Sequence, residues 1–256
     1  MPAAASGSTT VGSALKGRAD LFTRCDAAEG ACTELQLNAG AAKLAVPADG
    51  VITRWRVRAA TLGGGRLRVL RRAADGTFSV VDTSGWISFD RRHGPGADVL
   101  YEFPARIPVR SGDLLALDRT RRAGGVFHGY GGDASWRSAQ FDPLLPLDAV
   151  GLDPSSTGIG RELLLNADVE ADKDADGFGD ESQDNCPSIA NDQTTNPCPR
   201  PQSATDDAAG VGDGADPTSD QGTSTVIAAP RKFKRHRTPA PRRRLPARAP
   251  KRSSFG

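Results

Sequence analysis

Aromatic residues make up only 5% of this 256-residue chain, methionine occurs once, and no long apolar run is present. The first two shortages argue against a large helical core of bulky side chains, and the third leaves no candidate transmembrane segment. Cysteine is also scarce, with four in all, and no Cys-x-x-Cys motif offers a redox centre or paired zinc ligands. The chain lacks a Gly-x-Ser-x-Gly elbow, a His-Glu-x-x-His helix and a phosphate-cradling glycine loop. His93 and His128 lie in glycine-rich stretches with Asp90, Asp98 and Asp133 nearby, but loop histidines without such signatures are usually non-catalytic, so the reading is a non-enzyme.

Glycine and proline are plentiful, at 29 and 18 residues. Between clusters of them, segments rich in aliphatic and β-branched residues recur at 51–59, 66–72, 77–82, 99–103, 106–110, 113–118 and 162–168. In the first, Trp55, Val57 and Ala59 share one parity and Arg54, Arg56 and Arg58 the other, as in a half-buried strand. Residues 66–71 repeat the theme, with Leu67 and Val69 expected inward and Arg66 and Arg68 outward. Many short strands without helical periodicity predict an all-β, antiparallel, jelly-roll-like sandwich over 25–168. Residues 1–24 read as a disordered lead-in, 199–230 as a disordered linker and 231–256 as a disordered basic tail.

The net charge of +2 conceals a strong asymmetry, since acids crowd between Asp168 and Asp220 while Arg231–Gly256 carries eleven Lys or Arg and no acid. Such a tail would bind polyanions without sequence readout, so a specific nucleic-acid partner is not expected, whereas a lipid or cell-wall polymer is a candidate. The cysteines form two short-range pairs, Cys25 with Cys32 and Cys186 with Cys198. Among polar neighbours such as Asp26, Glu29 and Asn185, these read as local disulfides of an oxidising compartment. An extracellular or cell-surface location follows from that reading, although Met1–Leu15 lacks the basic start and apolar run of a signal peptide; a truncated start reconciles the two.

The most informative chemistry lies between Asp172 and Asp184. Asp172, Asp174 and Asp176 stand at loop positions one, three and five, Gly177 at six and Asp180 at nine, with the Phe178 carbonyl available at seven. This spacing wraps oxygen ligands around a hard cation, and calcium is the expected one. The stretch resembles a thrombospondin type 3 repeat, whose spaced aspartates, glycine and closing Asp-Asn-Cys-Pro are matched from Asp172 to Pro187, with Asn191 and Gln193 continuing the match towards Cys198. The resemblance, over about 172–198, implies calcium ligation by Asp172, Asp174, Asp176 and Asp180 with Asp184 closing the loop, in a region stabilised by disulfides. Asp184 falls one residue beyond position twelve of the helix-flanked calcium loop, where this chain has Gln183. The succession of a strand-rich region and one repeat is also similar to exported multidomain proteins of actinobacteria.

The expected function is that of a structural or adhesion-type calcium-binding protein. Two alternatives remain open: a carbohydrate-binding module using Trp86 or Trp136, with Trp55 in the core, and polyanion binding through the basic tail.

Overall fold

The computed structural model describes residues 7–25, 30–60, 62–89, 98–123, 125–129, 133–194 and Cys198. These residues contain no helix. Thirteen strands, all in antiparallel pairings, run β1 (Thr9–Gly12), β2 (Ala31–Asn38), β3 (Gly50–Ala59), β4 (Gly63–Arg72), β5 (Phe78–Thr83), β6 (Ile87–Phe89), β7 (Val99–Val109), β8 (Leu114–Thr120), β9 (Phe127–His128), β10 (Arg137–Phe141), β11 (Ser156–Ile159), β12 (Glu162–Leu163) and β13 (Leu165–Glu170). One sheet has the order β1-β13-β3-β7. A second has the order β11-β10-β2-β8-β4-β5 with β6 also on β4, and β9 and β12 form a small ribbon.

Burial explains the alternation in β3. Trp55, Val57 and Ala59 are almost inaccessible, and they join Leu67 and Val69 of β4, Leu115 and Leu117 of β8 and Leu165, Ala167 and Val169 of β13 in one cluster fed by both sheets. That shared cluster is the sandwich core, and it removes the apolar stripe of each sheet from water. Arg54 and Arg56, on the opposite face, pair with Glu102 and Asp168 in a polar lattice across β7, β3 and β13.

The expectation for β4 holds only in part. Leu67 and Val69 are inside and Arg66 is half-buried, but Arg68 is as inaccessible as its apolar neighbours. The outer face of the larger sheet carries its own cluster of Leu35, Leu70, Phe78, Ala116, Ala139 and Phe141, closed by Leu145 and Ala149 from the segment after β10. Arg68 runs beneath that cover and bonds Asp118 through both Nε and Nη2, while the carbonyls of Leu145 and Pro146 accept from its Nη2 and Nη1 at 3.0 and 3.2 Å.

Residues 7–24 also differ from the expected lead-in. Val11 joins the main core, Thr9–Gly12 pairs with Asn166–Val169, and Leu15 and Ala19 pack with Ala60 and Leu164. Four residues suffice for an edge strand, because β13, already paired with β3, supplies the ladder. The segments at 99–103 and 106–110 are likewise one strand, β7, in which Pro104 and Pro108 are accommodated because β7 is the last strand of its sheet. The expected linker and basic tail lie outside the described residues.

Candidate metal centre

The last strand, β13, leads straight into the acidic loop, and Glu170 fastens the two together. Its carboxylate accepts Thr53 Oγ1 at 2.9 Å and Ser182 Oγ at 2.7 Å, together with the backbone N–H groups of Glu181 and Ser182 at 3.1 and 2.9 Å. Burial opposes its charge, but these donors outweigh that cost and hold the carboxyl below its ordinary range. Two further contacts seat the loop on β7: Gln183 Nε2 donates to the Ala105 carbonyl at 2.7 Å, and the Arg106 guanidinium lies 4.2 Å from the centre of the Phe178 ring. The β3–β7 register slips opposite Ala105 and Arg106, so a bulge presents both anchors.

Within the loop, Asp172 nucleates the turn. Its two oxygens accept the N–H groups of Asp176 and Gly177 at 3.1 and 3.0 Å, and Asp176 in turn accepts that of Phe178 at 3.0 Å. The turn needs left-handed backbone at Ala175 (φ 60°) and Gly177 (φ 85°), the latter at the position expected from the spacing. The outcome is convergence: Asp172, Asp174 and Asp176 each offer a carboxylate oxygen, all within 4.8 Å of one another.

Asp184 belongs to the same electrostatic group. Asp174 is held above the ordinary carboxylate range, first by burial and then by the negative charges of Asp176, Asp184 and Asp172. Gln193 spans the gap by donating Nε2 to Asp176 Oδ2 at 3.2 Å and to Asp184 Oδ1 at 2.8 Å, while the Asn191 N–H meets Asp176 Oδ2 at 3.1 Å. Asp174 Oδ2 and Asp184 Oδ2 are buried oxygens without a hydrogen-bond partner. Asp180 is engaged elsewhere, since Lys173 approaches it with its N–H at 3.1 Å and its ammonium at 2.8 Å. Phe178 follows the left-handed Gly177, so its place at position seven is that of the sequence reading.

Both cysteine pairs stand at disulfide geometry, with Cα separations of 5.5 Å for Cys25–Cys32 and 5.6 Å for Cys186–Cys198, and the second clips the end of the acidic segment. Trp55 is core, Trp86 is 46% exposed and Trp136 half-buried, while His93 lies outside the described residues. No helix among the described residues is long and apolar enough to cross a membrane. Glu170 escaped the sequence reading, because a lone glutamate ending a strand has no motif. Gln193 and Asn191 were visible only as matches to the repeat, without a role.

A calcium ion with oxygens at roughly 2.3–2.6 Å separates opposing ligands by up to about 5 Å, so the spread of the aspartate oxygens suits it. The donor set fits as well, being carboxylates with two unpartnered buried oxygens and no sulfur or imidazole. No family model matches the chain, and neither a curated protein nor a solved structure does.

Proposed function

We propose that this chain is a non-enzymatic extracellular module in which calcium, held by a thrombospondin type 3-like repeat, braces the junction after a jelly-roll sandwich. The observation that carries the reading is the convergence of Asp172, Asp174 and Asp176 within 4.8 Å, with Asp184 beside them. Asp172, Asp174, Asp176 and Asp184 would hold the ion with the Phe178 carbonyl, and Asp180, paired with Lys173, would take part through water, as loop position nine often does. When bound, the cation supplies positive charge that cancels the mutual repulsion of these carboxylates; no reaction is involved.

The strand orders support the jelly-roll part. Of eight principal strands, β1, β13, β3 and β7 lie in one sheet and β2, β8, β4 and β5 adjoin in the other, so the chain crosses repeatedly between sheets and its first and last strands are neighbours. The two disulfide pairs support an oxidising, hence extracellular, setting. Within the proposal, calcium rigidifies the segment after β13, and the loops of the sandwich serve an adhesive or scaffolding role.

Calorimetric titration of the oxidised protein with calcium at about 0.15 M salt tests the proposal. Saturable binding at roughly 10⁻⁴–10⁻³ M is expected, as for extracellular modules, and its loss in an Asp174→Ala, Asp176→Ala variant. Binding that is absent, or that survives in the variant, would reduce the loop to an acidic spacer.

A further inference from the structure

We propose that a cleft walled by residues 14–18, the turn at 39–42 and the β9–β12 ribbon is a second binding site, independent of the acidic loop, and that its ligand is an acidic saccharide. The cleft has a volume of about 640 Å³, within the roughly 300–1,000 Å³ usual for ligand sites, and Lys16, Arg18, His128, Trp136 and Glu162 line it beside small alanines.

The ribbon side chains are held by neighbours. His128 and Glu162 are register partners across the ribbon, so their side chains rise on the same side. His128 Nδ1 lies 3.1 Å from both the Arg18 carbonyl and Asp20 Oδ2. Both neighbours are acceptors, so the tautomer that fits them has the proton on Nδ1, and in that tautomer Nε2 can accept a hydrogen bond. Asp20 is itself held by the Gly129 N–H at 2.8 Å, and Glu162 by Ser13 Oγ at 2.6 Å. Gly17 leaves room for the imidazole, since a Cβ there would fall 2.5 Å from His128 Cγ. The Trp136 ring stands 6.2 Å from that of His128.

These features together describe one ligand chemistry. The Trp136 face suits the C–H face of a sugar ring, Glu162 and His128 Nε2 accept from hydroxyls, and Lys16 and Arg18 supply cations for a carboxylate. Lys16 is exposed, and the Arg18 side chain is 80% exposed with a long 3.7 Å approach to Asp98, so both remain accessible to a ligand. Trp86, though more exposed than Trp136, has Arg66 stacked 5.1 Å from its ring centre and does not line this cleft.

The test is calorimetry of the full-length oxidised protein with a uronic-acid trisaccharide and a neutral glucose trisaccharide. Saturable uronate binding at about 1 mM or tighter is expected, with the neutral sugar at least about tenfold weaker. Trp136→Ala should weaken the uronate at least about tenfold, Trp136→Tyr should retain it, and Lys16→Glu at an exposed position should weaken it without altering the melting temperature. Absent binding, equal binding of the neutral sugar, or uronate binding unchanged in both Trp136→Ala and Lys16→Glu would overturn the proposal; the last would assign the affinity to Arg231–Gly256.

Discussion

Asp118 shows how much rests on a single carboxylate. It is fully buried, takes Arg68 through two nitrogens, and also accepts Arg66 Nε at 2.6 Å and Thr33 Oγ1 at 2.7 Å. Removing it strands a guanidinium in the interior, so Asp118→Ala is expected to cost about 3–5 kcal/mol in urea unfolding, whereas a combined Arg68→Met, Asp118→Leu variant should recover much of that loss. Asp168 makes a different prediction. Burial disfavours its charge, yet hydrogen bonds from Arg56, Thr10 and Arg54 hold the carboxyl at about 2, against an ordinary 3.8. A folded value below the unfolded one means that its stabilisation is complete above about pH 4 and drains away as the pH falls towards 2. Acid unfolding monitored by circular dichroism should therefore flatten across that window in Asp168→Asn.

At the scale of elements, legibility in the sequence followed the number of faces a segment buries. β3 was readable because one face meets the core and the other carries arginines, which is the pattern that alternation encodes. β4 misled at Arg68 because both of its faces are covered, and no local pattern announces a cover supplied by Leu145 and Ala149 more than seventy residues later. β1 and β10 were missed since short strands of small and polar residues borrow their pairing from neighbours. In the acidic loop the aspartates and Gly177 were legible from spacing, whereas the attachment was not, as it depends on Glu170 and on Arg106 and a bulge in a strand that lies far earlier in the chain. That attachment can be tested. Glu170→Ala removes the acceptor of four hydrogen bonds, so amide exchange at Glu181 and Ser182 should rise at least tenfold, equivalent to about 1.4 kcal/mol or more, while β4 and β8 amides stay protected.

For the molecule as a whole, the loop and the sandwich share an anchor, so a cation bound by one should be felt by the other. An ion at about a hundred times its dissociation constant stabilises the state that binds it by about 2.7 kcal/mol, and in a domain of this size each kcal/mol raises the melting temperature by about 2–4 °C. Scanning calorimetry at saturating calcium should accordingly show a rise of about 5–10 °C, absent in the Asp174→Ala, Asp176→Ala variant. The place of the anchor has one more consequence. β7 closes its sheet with a long outer margin, where an unpaired ladder would recruit strands from other molecules. Pro104 and Pro108 remove N–H groups from that strand and Gln183 occupies the carbonyl of Ala105, so the loop also acts as a guard against self-association. Detaching it would first register as turbidity in concentrated solution, before any loss of fold.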